Sequence, residues 1–137
     1  MEKRTIAAII KDKDGKVLIQ DHVKTAAYTL PSGKWESDRG EAIEDTLKRE
    51  LFEELGIVVT EFHCIYECEF SGIEYPAGSG NLTNFHAFYY IIDEYINEVV
   101  NREPNKHRDL LWLTSEEIKR LNPKTVVLDA AVVNGFV

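Results

Sequence analysis

The sequence predicts a mixed α/β or α+β fold, and three observations carry that expectation. An Asp-Gly turn separates two short apolar runs near the N-terminus. One stretch has unambiguous helical periodicity. A later stretch is dense in aromatic and β-branched residues, as strands are.

In chain order, Ile6–Ile10 reads as a strand, residues 12–16 (Asp-Lys-Asp-Gly-Lys) as a tight turn, and Val17–Gln20 as a second strand, a hairpin signal. Tyr28–Leu30 reads as a short strand stopped by Pro31-Ser32-Gly33. A helix is predicted over Glu41–Leu55, where Ile43, Leu47, Leu51 and Leu55 recur every fourth residue and Gly56 supplies the stop. Asp38 and Glu41 have the spacing of a capping box. Ile57–Thr60 and Phe62–Phe70 read as extended, with Cys64 and Cys68 on one face, too far apart to bond. Ser71–Asn84, with its glycines and Pro76, reads as a loop that faces substrate or solvent. Phe85–Asp93 is the dense strand, Asn97–Arg108 a polar loop and Leu110–Leu113 a last short strand. Two helices follow, one opening at Thr114 and running through Leu121, the other from Pro123 to Val133. A length of 137 residues without repeat or linker predicts one domain over residues 1–137.

A formal charge of −8 argues against bare nucleic acid or an anionic membrane as partner. A phosphorylated small molecule remains compatible when a divalent cation bridges the two. No apolar run is long enough to span a membrane, and the N-terminus lacks a signal-peptide core, so a cytoplasmic protein with reduced thiols is expected.

The helix carries the chemistry. At about 100° per residue, with Leu47 at zero, Ile43 falls at about −40°, Leu51 at about +40° and Leu55 at about +80°. Glu54 falls at about −20°, inside the apolar stripe. Glu50 lies on its edge, at about −60°, and Glu53 flanks it, at about −120°. A solvated charged face is the ordinary reading of such a run, but a carboxylate turned toward a core must be neutralised, paired or metal-bound. Arg49 can reach Glu53 or Glu41 but cannot compensate all the glutamates. A hard cation such as Mg²⁺ or Mn²⁺, which prefers oxygen ligands and retains water, would.

The residues Arg49-Glu50-Leu51-Phe52-Glu53-Glu54-Leu55-Gly56-Ile57, with Glu41 eight residues before Arg49, resemble the Nudix box, R-E-U-x-E-E-x-G-U, where U is a bulky aliphatic residue. Leu30-Pro31 before the glycine turn and Trp112-Leu113 before a Glu-rich helix start are similar to the family at the level of organisation. One departure stands out. The family has a glycine separated from the first glutamate by five residues, where this chain has Trp35. Gly33 is the equivalent, which implies a two-residue insertion within Lys34–Gly40, and Ser32 replaces a glycine often found there.

The resemblance implies an α/β/α sandwich around a central mixed β-sheet. It implies hydrolysis of a nucleoside diphosphate linked to another group, foremost a nucleoside triphosphate cleaved to the monophosphate and pyrophosphate. Glu50, Glu53 and Glu54 would ligate Mg²⁺ or Mn²⁺, joined by the Gly33 carbonyl. Glu53 or a carboxylate outside the box would activate water, and Arg49 with Glu41 would hold the carboxylates in place. Glu98, Glu103 and Asp109 are candidates for the outside carboxylate, with Asp109 favoured. Residues 103–108 resemble a stretch in enzymes acting on nucleoside triphosphates, making Lys106 and Arg108 candidate phosphate contacts. Phe85, Tyr28 or Trp35 could stack on a base. Relatives are often homodimers. ADP-ribose, a nucleotide sugar or a dinucleotide polyphosphate are alternative substrates within this class. A nucleotide sensor without catalysis and a structural domain with a charged helix are the readings outside it.

Overall fold

β1 (Glu2–Ile9) is apolar on both sides from Ile6 onward, which marks a segment buried on both faces. A computed structural model describes residues 2–35, 40–73 and 82–137 of the chain. In it Ile6, Ala8 and Ile10 enter one core while Ala7 and Ile9 enter another. The first core is closed by α1 (Ile43–Leu55) through Leu47, Leu51 and Leu55. The second is closed by α2 (Ser115–Arg120) through Ile118 and by α3 (Val126–Val133) through Val127, Leu128 and Ala131. The result is an α/β/α sandwich.

The remaining strands are β2 (Val17–His22), β3 (Ala27–Thr29), β4 (Ser32–Lys34), β5 (Val58–Ile73), β6 (Leu82–Ile96) and β7 (His107–Leu113). They form a four-stranded sheet, β4-β1-β6-β5, and a three-stranded sheet, β3-β2-β7. The β1–β6 pair is parallel and every other pair antiparallel, so the larger sheet is mixed.

The Asp-Gly turn forms as expected. Asp12 Oδ1 accepts from the amides of Asp14 and Lys16, both at 2.9 Å, and Gly15 adopts φ +80°. The hairpin predicted around it is short: Lys11 pairs with Val17, the Asp12 and Leu18 amides donate to the Lys16 and Ile10 carbonyls at 2.9 Å, and β1 and β2 then separate into different sheets. The turn is local chemistry, whereas each strand's partner is chosen by which neighbour buries both of its faces.

Other boundaries move for similar reasons. Ser32-Gly33 does not merely stop a strand: residues 32–34 pair with β1 as β4. Ser71–Ile73 and Leu82–Asn84 lie in strand, and only residues 74–81 of the predicted loop fall outside the described residues. β7 begins at His107, inside the predicted loop Asn97–Arg108. Cys64 and Cys68 do not share a face. A bulge between Cys64 and Tyr66 sets Cys64 opposite Tyr90 of the first core, while Cys68 packs against the second.

Candidate active site

The helix α1 ends as its sequence requires, with Gly56 in the left-handed region at φ +72° and its amide bonded to the Phe52 carbonyl at 3.0 Å. Its start differs from the expectation. Ala42 occupies the cap position without a side-chain cap, and Asp38 lies outside the described residues. The Glu41 carboxylate accepts from Thr46 Oγ1 at 2.6 Å and from Arg49 through Nε and Nη2, both at 3.0 Å. Arg49 Nη1 then lies 3.4 Å from Glu50 and 3.3 Å from Glu53. One guanidinium thus ties three carboxylates, and its own pKa is pushed up, first by the hydrogen bond to Glu41.

The burial gradient follows the helical wheel. Glu54 is 5% exposed, Glu50 half-buried and Glu53 exposed. Burial, then the neighbouring Glu50 and Glu103 charges, pushes Glu54 up to about 8, and burial also raises Glu50. A substituent at Gly33 Cα would lie 2.6 Å from Glu50 Cγ, so only glycine lets β4 pass this close to the carboxylate. The insertion inferred from sequence therefore leaves Gly33 against Glu50, although residues 36–39 lie outside the described residues.

Glu50 and Glu54 face a recess of about 130 Å³ whose other walls include Gln20, His22, Glu103, Lys106 and His107. His107 Nε2 lies 3.5 Å from Glu54 Oε1, and burial, then His22, lowers the imidazole to about 4. Glu54 Oε2, both polar atoms of the Gln20 amide and His107 Nδ1 are buried with no partner among the described residues. Buried polar atoms are seldom left so. The three residues that carry them line one recess.

Glu103, rather than the favoured Asp109, is the outside acid that reaches this recess. Its carboxylate is held by Lys106 at 3.1 Å, while Asp109 and Glu98 are exposed and line none of it. Lys106 stands at the wall, and Arg108 lies 3.9 Å from Asp21 and lines none of it. A larger recess of about 330 Å³ adjoins the first and is bounded by Phe85, which also stacks on Phe70 at 5.3 Å. Tyr28 packs against the second core instead. Trp35 is committed as well, its indole donating to the Glu41 carbonyl at 2.9 Å and its ring edge-on to Phe88.

Gln20, His22 and His107 were not legible as site residues. They arrive through the β2–β7 ladder, which pairs His22 with His107 and brings their rings to 5.2 Å. The segment before β7 is fastened to the end of α1. The amides of Val100 and Arg102 donate to the Leu55 and Glu54 carbonyls, and Arg102 Nη1 donates to the Phe52 carbonyl, all at 3.0 Å.

Among the described residues no group of three or more His, Cys, Asp or Glu side chains is arranged to hold a metal ion by itself. The donor set nevertheless fits a hard cation that keeps much of its shell as water and substrate oxygen: two inward carboxylates, one with an orphaned oxygen, and a glycine cradle.

The NUDIX domain family model matches residues 1–133. An 8-oxo-dGTP diphosphatase of Haemophilus influenzae is 33% identical over 110 residues, 75% of this chain and 74% of the relative. The crystal structure of a MutT NUDIX hydrolase from Burkholderia pseudomallei superposes with a TM-score of 0.74 at 25% identity, covering 97% of both chains. The MutT protein of Methanosarcina mazei shares the fold at a TM-score of 0.75 and 18% identity, over 97% of this chain and 91% of the other. The glutamates of α1 thus sit in a frame that the two solved structures share along nearly their whole length, and the chain belongs to the NUDIX family as a hydrolase of pyrophosphate bonds.

Proposed function

We propose that the chain hydrolyses a nucleoside triphosphate to the monophosphate and pyrophosphate, with Mg²⁺ or Mn²⁺ held by Glu50, Glu53, Glu54 and the Gly33 carbonyl. The observation that carries this reading is Glu54, a buried carboxylate with an unpartnered oxygen in a recess shared with Glu50. Bound there, the cation would lower the pKa of its water and offset charge on the phosphate oxygens. Glu53, exposed beside the recess-lining glutamates, takes a proton from the attacking water; the water oxygen joins phosphorus as the bridge to pyrophosphate breaks. Arg49 and Glu41 keep Glu50 and Glu53 aligned. Lys106 offers positive charge to the phosphates.

The larger recess has the volume of a small-molecule site and supports nucleoside binding against Phe85. The name of the Haemophilus influenzae relative puts 8-oxo-dGTP first among the triphosphates to try. The same reading takes residues 1–137 as one domain that works in the cytoplasm on small-molecule nucleotides, as a monomer or homodimer.

The test measures pyrophosphate and orthophosphate release with Mg²⁺ across canonical and oxidised nucleoside triphosphates, ADP-ribose and a diadenosine polyphosphate. Glu53→Gln is the control. Pyrophosphate from one triphosphate, lost in the control, is the expected result. Cleavage of ADP-ribose or the dinucleotide alone would overturn the substrate class. Binding without turnover anywhere on the panel would identify a sensor.

A further inference from the structure

The two recesses share His22, Thr29 and Ser32, which therefore form the neck between them. Their hydrogen-bonding capacity differs. Thr29 Oγ1 donates to the Leu30 carbonyl at 3.0 Å and accepts from Thr125 Oγ1 at 3.0 Å, so its proton is committed. His22 Nδ1 accepts from the Thr25 amide at 3.2 Å, which leaves the proton of a neutral ring on Nε2. Burial, then Lys24 and Lys106, lowers the His22 pKa and favours that neutral form. The backbone beside it is anchored, because the Val23 amide donates to the Lys106 carbonyl at 2.7 Å. The Ser32 hydroxyl has no partner among the described residues and stands where the family often has a glycine, which could offer no side-chain donor.

We propose that His22 and Ser32 are positioning residues that grip the α-phosphate of the bound nucleotide, each donating one hydrogen bond from the neck. The inference rests on the reading that a nucleoside triphosphate spans both recesses. With the nucleoside in the larger recess and the pyrophosphate at the glutamates, the only covalent passage through the neck is the 5′-oxygen and the α-phosphate. Phosphate oxygens are strong acceptors, and two neutral donors are what the neck presents. Because the grip is on the phosphorus that stays with the nucleoside, it acts on the monophosphate product as well as on the substrate.

The test compares inhibition of triphosphate hydrolysis by the nucleoside 5′-monophosphate and by the bare nucleoside. The variants are His22→Phe, which keeps a ring without a donor, Ser32→Ala, and His22→Gln, which returns an amide donor near the position of Nε2. His22→Phe and Ser32→Ala should each weaken monophosphate inhibition about tenfold, as loss of a hydrogen bond to a charged group does. Nucleoside inhibition should not move, and His22→Gln should recover most of the loss. Equal weakening of both inhibitors would assign these residues to recess shape alone and overturn the grip. Unchanged monophosphate inhibition would also overturn it. A wild-type protein that hydrolyses no triphosphate would overturn the underlying reading, an outcome visible before any variant is made.

Discussion

Helices α1 and α2 both open with acidic first turns but differ in their caps and end on opposite charges. α2 has a complete capping box between Thr114 and Glu117, acidic residues in its first turn and Lys119 and Arg120 in its last, so its charges complement the helix dipole. α1 has no side-chain cap and no basic residue in its last turn, and it places Glu50, Glu53 and Glu54 toward its C-terminal half, where the dipole disfavours negative charge. One helix is built for stability. The other carries a local cost that only a cation or a proton can relieve, and such inconsistencies mark functional sites.

The largest effect should come from deleting that cost. Glu54→Gln is expected to lower Mg²⁺-dependent turnover about a thousandfold, the scale of several kcal/mol of charge stabilisation. The same substitution should raise the melting temperature of the metal-free protein above pH 7. A variant that keeps wild-type turnover would remove Glu54 from the metal site.

The pH dependence of metal-free stability sharpens the contrast. Glu54 has a folded pKa of about 8 against an ordinary 4.5, so the unfolded chain loses its proton first and stability falls as pH rises from 4.5 to 8. His107 has a folded pKa of about 4 against 6.5, so the unfolded chain gains its proton first and stability falls as pH drops from 6.5 to 4. Melting temperature without metal should therefore peak between 4.5 and 6.5. Glu54→Gln should flatten the alkaline limb. Saturating Mg²⁺ should flatten it too, adding about 2.7 kcal/mol at a hundredfold excess over Kd. An alkaline limb that survives in Glu54→Gln would assign it to other groups.

The smallest effect belongs to α2. Thr114→Ala should cost about 1 kcal/mol of stability in denaturant titration, with kcat and KM unchanged. A matching loss of activity would show that the two sides of the sandwich are not as separable as their roles suggest.

How much of this was legible follows from where each residue's partners lie. The helix, its stop at Gly56 and the inward turn of Glu54 depend on neighbours within one element, and sequence periodicity reports them directly. The divergence of β1 from β2 and the opposite faces of Cys64 and Cys68 depend on sheet pairing and a bulge, which no local pattern encodes. The same division runs through the site. Glu50, Glu53 and Glu54 are visible because they share a helix. Gln20 and His22 look like ordinary strand positions until β7 pairs beside them, and Glu103 outranks Asp109 only once the segment before β7 is pinned to α1. The run Glu103–Arg108, singled out for phosphate contacts, places Lys106 on the recess wall and Arg108 beside Asp21.

That pinning has a mechanical consequence. Glu54 presents its carboxylate to the recess while its own carbonyl holds the Arg102 amide, and Arg102 adjoins Glu103. Both walls of the recess are thereby riveted through a single residue. A tilt of the helix end would drag the facing segment with it, so the gap between Glu54 and Glu103 behaves as a fixed gauge rather than a jaw, and adjustment to different substrates is left to the neck and the larger chamber beyond it.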